Sequence, residues 1–460
     1  MPATDREPSL DAKLVADFLG RAADADTRPC RDTLDDTLKD LAGLGLAPGN
    51  AVIIALSNST RTVRLYLAAL LLGLVPLAIA PRTPPVRIRR LAATLGVRAL
   101  LAARVAPERY GAAGTRTVGG AEAVLLGDDG PPPYRPGRVL MSTSGTSGAF
   151  SACLHRVGAL LRNARRHAAA VGLTADDTVL VNLPLYYSYA MVAQVLAACV
   201  SGARIVVTGP PFTPAGYASA VTAHGVTHSS ITPELARRLL ALDPASAAGP
   251  HTLTIGGDHL HPAQVARLLA ARPHGELYLT YGLTEAGPRV LTLAAHAEPP
   301  HRHASAGLPL PGMRTSLRED TGELLVASDT VLERKIGGAP AERTLIAPGR
   351  IATGDVFTLD GDGYHYFRGR LSDFTVIRGE KVSLSGLRRT VHTIDGVIRC
   401  VPRLNRHADG ESALDLEIAV TDPGPATEAR IRGELDSLLL PAERPRSVRI
   451  TATVPEDFRK

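Results

Sequence analysis

Residues 50–80 set the tightest limit on the fold. An apolar run, AVIIALSN, leads through a polar turn, STR, into a helical pattern, TVRLYLAALLLGL, and then a second apolar run, VPLAIA. Short apolar runs on either side of a helical pattern indicate a βαβ unit, and so a parallel sheet covered on both faces. The rhythm recurs. VRALLAA at 97–103 reads as a strand, VGALLRNARRHAAAVGL at 157–173 as an amphipathic helix and TVLVNLP at 178–184 as a strand. MVAQVLAACVSGA at 191–203 reads as a helix and RIVVTG at 204–209 as a strand. A helix near 214–224, strand VTHSSI, helix PELARRLLAL and strand HTLTIGG continue the series. The expected fold class is α/β. A large N-terminal domain over residues 1–370 would hold two doubly wound αβα layers. From about 305 the pattern shifts to short alternating strands, and VFTLDGDGYHYFRG reads as a hairpin around Asp360-Gly361-Asp362-Gly363. A β-rich subdomain is therefore expected over about 305–370, and a small α+β C-terminal domain over 371–460.

Composition narrows the function. The longest apolar run, Leu65 to Ala80, has sixteen residues and is interrupted by Gly73 and Pro76. That is short for a span, so no membrane partner is expected. The net charge of +6 favours anionic ligands. The arginines are spread along the chain, aromatics are 4% and Trp is absent, so no nucleic-acid partner is expected. Five of the 51 basic residues are lysines: Lys13, Lys39, Lys335, Lys381 and Lys460. Cys30, Cys153, Cys199 and Cys400 form no CxxC pair and read as reduced, buried thiols. The start, MPATDREPSLDAK, has no apolar signal core, which predicts a cytoplasmic location. His259-x-His261 and His301-x-His303 lack an evident third ligand and read as solvated loop histidines.

Five short motifs carry chemistry. STSGTSGAF, residues 142–150, follows the strand RVLM and is read as preceding a helix. Its small residues would let backbone N–H groups and hydroxyls wrap an oxyanion; the alternative is a Ser/Gly-rich surface turn. YGLTE, residues 281–285, ends the strand ELYLTYG. Its ring can cover a flat base, its threonine can bind phosphate and its carboxylate can hold Mg²⁺. TGD, residues 353–355, offers a carboxylate to both hydroxyls of a ribose. GRLSD, 369–373, and RGEKV, 378–382, follow.

In this order the motifs resemble those of the adenylate-forming superfamily: acyl- and aryl-CoA synthetases, adenylation domains of nonribosomal peptide synthetases, and firefly luciferase. The resemblance covers nearly the whole chain and includes GGDHL at 256–260. It implies that Thr143, Ser144, Gly145, Thr146, Ser147 and Gly148 cradle the ATP phosphates. It places Gly256, Gly257 and Asp258 beside adenine and Tyr281 stacked on it. Thr284 is implied at the α-phosphate, Glu285 on Mg²⁺, Asp355 on the ribose and Arg370 as a second nucleotide contact. Ser372 falls on the hinge of the small domain, and Lys381 matches a basic position after it. The implied reaction joins an acid to AMP, releases pyrophosphate, and then passes the acyl group to an acceptor.

The sequence also departs from the family. Where Pro, Lys, Gly usually follow the phosphate loop, Phe150, Ser151 and Ala152 stand, with Arg156 as the nearest cation. In LPLYYSYA (183–190) the usual histidine, which helps place the carboxylate, is Tyr187, and the usual glycine is Ala190. The family's C-terminal catalytic lysine falls on Lys460, the last residue. On this reading only Lys460 and Lys381 sit where the chemistry could use a lysine. The expected protein is an ATP- and Mg²⁺-dependent ligase. It would activate a small organic acid, aromatic acids among the candidates, for transfer to CoA or a separate carrier-protein thiol, in specialised metabolism. Two alternatives stay open: adenylation of an unusual acid such as nitrite with an amine acceptor, and a nucleotide-binding homologue without turnover.

Overall fold

A computed structural model describes residues 8–26, 32–127, 131–142, 151–210, 212–242, 249–337, 344–377, 380–406 and 412–452. Two eight-stranded sheets dominate the architecture. In the first, Arg138–Ser142, Val75–Ala78, Ala51–Ala55 and Val97–Ala102 run parallel, with antiparallel strands on both flanks. In the second, five parallel neighbours run from Arg204–Val207 through Thr178–Val181, His228–Ile231 and Thr252–Gly256 to Glu276–Gly282. Arg289–Ala294 then turns back antiparallel.

Burial explains the apolar runs. Val52 and Ile54 of the first sheet meet Val179, Val181 and Ile205 of the second through helices Thr60–Leu71 and Val157–Ala170. Those helices lie between two sheets, so Thr60–Leu71 is buried over most of its circumference. Ala51, Ile53 and Ala55 point the other way, onto helix Pro85–Leu95. The outer face of the second sheet carries Leu253, Ile255 and Leu277 against helices Pro233–Leu242 and Pro262–Ala271. Helix and sheet thus alternate through five layers. Capping fixes where the central helix starts, since the Ser59 side chain accepts from the Thr62 N–H.

Two elements differ from expectation. The segment after STSGTSGAF is a strand, Ser151–Arg156, antiparallel to Arg138–Ser142, and the helix starts only at Val157. All five residues from Ser151 to His155 are buried, and a strand pairs its backbone where a short helix could not. The stretch read as one helix at 191–203 is a π-helix, Tyr189–Leu196, running into a short α-helix, Ala197–Ser201.

A β-rich region follows. Arg314–Leu317, Glu323–Ala327, Arg350–Leu359 and His365–Arg370 pair antiparallel. Strand Arg334–Gly337 leaves this region to pair with Ser151–Arg156 at the edge of the first sheet. After the hairpin Phe374–Ile377 and Glu380–Ser383, a three-stranded sheet packs with helices Leu384–Val391 and Pro425–Leu438. This C-terminal unit docks on the second sheet's helices: buried Arg237 donates to the Ile398 carbonyl at 2.7 Å. Among the described residues no helix is long and apolar enough to cross a membrane.

Candidate active site

The parallel strands Thr252–Gly256 and Glu276–Gly282 end side by side, and their carboxyl ends form the crevice where open α/β sheets bind ligands. Tyr281 and Asp355 meet there. The phenol O–H of Tyr281 donates to Asp355 Oδ2 at 2.7 Å. Arg370 Nε stands 3.0 Å from Oδ1, held opposite Asp355 by the ladder between their strands. That contact lacks hydrogen-bond geometry, so buried Oδ1 has no hydrogen-bond donor among the described residues. Burial raises the carboxyl's pKa above the usual range, opposed by Arg370 and by the Tyr281 hydrogen bond. Burial and the facing Asp355 push Tyr281 well above an ordinary phenol. Its ring meets Phe357 edge-on with centroids 4.9 Å apart.

Thr284 and Glu285 follow on a one-turn helix, Thr284–Ala286. The turn closes on Gly287, whose φ is +105° and where a Cβ would lie 2.6 Å from the Thr330 carbonyl oxygen; only glycine fits there. Thr284 Oγ1 lies 2.9 Å from Ser188 Oγ. Ser188 thus reaches the expected α-phosphate residue, while the Tyr187 ring leans on Tyr186 with centroids 4.6 Å apart. The loop start is tied to this wall by Ser142 Oγ, which donates to the Tyr186 carbonyl. Glu285 Oε1 accepts from Lys335 Nζ at 2.9 Å. Burial works against the ammonium, but attraction to Glu285 and their hydrogen bond prevail, and its pKa sits above the ordinary lysine value.

A polar layer lies behind the tyrosines. Ser230 Oγ accepts from Thr254 Oγ1, and Tyr189 OH lies 3.0 Å from the same threonine oxygen. Arg289 spreads over the Tyr189 ring, 4.1 Å from its centroid, and donates from Nη1 to Thr280 at 2.8 Å. Arg289 is 2% exposed, and its Nε finds no acceptor among the described residues. Burial lowers its pKa.

Several expected residues take other surroundings. Gly256 ends its strand and Gly257 turns with φ +94°. Asp258 accepts from the His259 N–H and from Arg388 of helix Leu384–Val391 at 3.3 Å, so this turn touches the C-terminal unit. Ser372 sits exposed on the one-turn helix Leu371–Asp373. Thr143, Ser144, Gly145, Thr146, Ser147, Gly148 and Lys460 lie outside the described residues. Lys381 pairs its backbone with Val376. The expectation that only Lys460 and Lys381 lie within use of the site is overturned by Lys335, which strand pairing brings onto Glu285. His303 is also not solvated: it is 5% exposed, with Nε2 3.1 Å from the Ala295 and Glu298 carbonyl oxygens. No cluster of three or more His, Cys, Asp or Glu able to hold a metal occurs among the described residues.

A 3-hydroxybenzoate–CoA ligase from Aromatoleum sp. (strain CIB) is 25% identical over 459 residues, covering 89% of this chain and 85% of the relative. A feruloyl-CoA synthase from Amycolatopsis sp is 28% identical over 293 residues; the match spans 59% of this chain and 58% of that protein. The crystal structure of the anthranilate CoA ligase AuaEII in complex with anthranoyl-AMP superposes with a TM-score of 0.76 at 16% identity, over 96% of this chain and 94% of that one. The pattern of the AMP-binding enzyme family matches residues 39–333. That match takes in Ser188, Tyr281, Thr284 and Glu285, while Lys335, Asp355 and Arg370 lie beyond it; the chain belongs to the AMP-binding enzyme family.

Proposed function

We propose that the protein is an ATP-dependent ligase that adenylates a small aromatic acid and transfers the acyl group to the thiol of CoA or of a separate carrier protein. The observation that carries this reading is the Asp355 carboxylate, buried with one oxygen lacking a hydrogen-bond donor. That oxygen faces the Arg370 guanidinium at 3.0 Å without hydrogen-bond geometry, and a ribose hydroxyl would supply it with a donor. The Tyr281 ring beside it suits a flat base.

The chemistry follows from this placement. A carboxylate oxygen of the acid attacks the α-phosphorus of ATP, the bond to the bridging oxygen breaks, and its electrons leave with pyrophosphate. Thr284 and Ser188, paired by their hydroxyls, offer donors to the α-phosphate oxygens, where charge builds. Glu285 is a single carboxylate, which suits Mg²⁺, since that ion is commonly held by one or two carboxylates together with substrate phosphates; when bound, the ion supplies charge neutralisation. The thiol sulfur then attacks the acyl carbon, its proton is lost, and AMP departs. The ring pair Tyr186–Tyr187 walls the acid. The buried Tyr189–Arg289 stack beyond it gives a positive floor that suits an acid carrying an acceptor or anionic substituent. The activities named for two relatives, a 3-hydroxybenzoate–CoA ligase and a feruloyl-CoA synthase, support an aromatic acid. Lys460 keeps its proposed adenylation role, and Ser372 its role as the hinge.

One departure favours a second reading. Tyr187, in place of a carboxylate-placing histidine, also suits a non-carboxylate acid such as nitrite. Hydroxylamine trapping separates the two. With ATP and an aromatic acid, the first reading gives the acid's hydroxamate; absence of hydroxamate with ATP consumption driven by nitrite would overturn it.

A further inference from the structure

The resemblance sets a lysine after the phosphate loop where this chain has Ser151, and a different lysine lies on the strand paired with Ser151. Ser151 occupies the position that the resemblance gives to that lysine, and it opens strand Ser151–Arg156. Strand Arg334–Gly337 pairs antiparallel with it, with Gly337 opposite Ser151 and Lys335 opposite Cys153. Residues two apart on a strand share a face, and so do directly paired residues. Ser151, Cys153 and Lys335 therefore lie on one face of the sheet. Lys335 is the diagonal neighbour of Ser151, a separation of about 7–8 Å, which a lysine side chain can span. The ammonium emerges on the site side, because Nζ lies 2.9 Å from Glu285 Oε1. Both side chains are largely buried but keep 19% and 13% exposure.

Resting on the adenylation reading above, we propose that Lys335 is the cation that receives the β- and γ-phosphates of ATP. It would stand in for the absent loop lysine by delivering the charge from the neighbouring strand. In the nucleotide-free protein Glu285 holds the ammonium at the mouth of the site. When a polyphosphate arrives, the ammonium has a second and more highly charged partner within reach. As the bond between the α-phosphorus and the bridging oxygen breaks, the electron pair stays on that oxygen, and Lys335 neutralises the pyrophosphate that leaves. A lysine serves this role as a point charge.

The test compares nucleotides that differ only in the groups Lys335 would meet. Calorimetric titration with ATP, inorganic pyrophosphate and AMP, all with Mg²⁺, is run on the full chain and on Lys335→Met and Lys335→Arg. Lys335→Met is expected to weaken ATP and pyrophosphate by at least about tenfold, as loss of one charge-assisted contact does. AMP, which lacks the β- and γ-phosphates, is expected to stay within about twofold. Lys335→Arg, which keeps the ion pair and the fold, should recover most of the ATP affinity. Equal weakening of ATP and AMP would mean that the lysine only supports Glu285, and unchanged ATP affinity would mean that it contacts no phosphate; either result overturns the proposal. Because the readout is binding, a protein that shows the Lys335 effect but adenylates no acid would overturn the proposed function alone.

Discussion

At the scale of single residues, the site rests on one buried carboxylate. Asp355 is 3% exposed and carries the Tyr281 hydrogen bond on one oxygen only. If the other oxygen takes a ribose hydroxyl, replacing Asp355 with Ala should reduce ATP affinity by about 10- to 100-fold, since a hydrogen bond to a charged group contributes about 1.5–3 kcal/mol. The same change should have little effect on 2′,3′-dideoxy-ATP, which has no hydroxyl to offer. Equal losses for the two nucleotides, measured by titration, would show that Asp355 is structural. This residue was legible in sequence because TGD is contiguous and sits in an alternating strand. Lys335 was not. Its role depends on pairing with Cys153, far away along the chain, and ERKIGG carries no local signal of that register. Arg289 was missed for a related reason. It follows directly on the YGLTEAGP stretch, but an arginine in a strand normally reads as a solvent-facing residue, and its burial over Tyr189 is a tertiary fact.

At the scale of elements, the long apolar runs were readable and the short ones were not. Ala51–Ala55 and Thr60–Leu71 fall where the pattern places them, because both are buried on more than one face and need apolar residues throughout. Ser151–Arg156 is a six-residue strand that runs straight into helix Val157–Ala170. No turn residue separates them, so the period changes without punctuation. That helix carries a testable feature. His167 is 1% exposed, and burial, the Arg289 guanidinium and the His228 ring push its pKa down to about 3 from 6.5. With the folded value depressed, the unfolded chain binds the proton first. Stability is therefore full above pH 6.5 and is lost as the pH falls from there toward the folded value. The loss amounts to roughly 1.4 kcal/mol per pH unit, or roughly 2–3 kcal/mol between pH 6.5 and 4.5. Denaturant unfolding across that range should be measurably steeper in pH for the parent than for His167→Leu. Parallel slopes would mean that His167 charges without penalty.

At the scale of the whole molecule, the two stacked sheets deliver the site and the C-terminal unit packs on the turn after Thr252–Gly256. Asp258 of the turn after Thr252–Gly256 pairs with Arg388, and Arg389 donates to the Arg368 carbonyl at 2.9 Å. The βα rhythm made the sheets legible in advance, because each strand–helix pair is local in sequence. The crossover of Arg334–Gly337 from the β-rich region into the first sheet was not, since no local pattern encodes which sheet edge a short strand joins. That crossover is what brings a lysine to Glu285, so the long-range topology supplies the charge that the local motif lost. The proposed reaction makes an acyl-adenylate reversibly, and the most direct measurement is acid-dependent exchange of labelled pyrophosphate into ATP over a panel of hydroxybenzoic, cinnamic and fatty acids. Exchange is expected with at least one aromatic acid, dependent on Mg²⁺ and strongly reduced in Asp355→Ala. Absence of exchange with every acid, in a protein that still binds AMP, would contradict it.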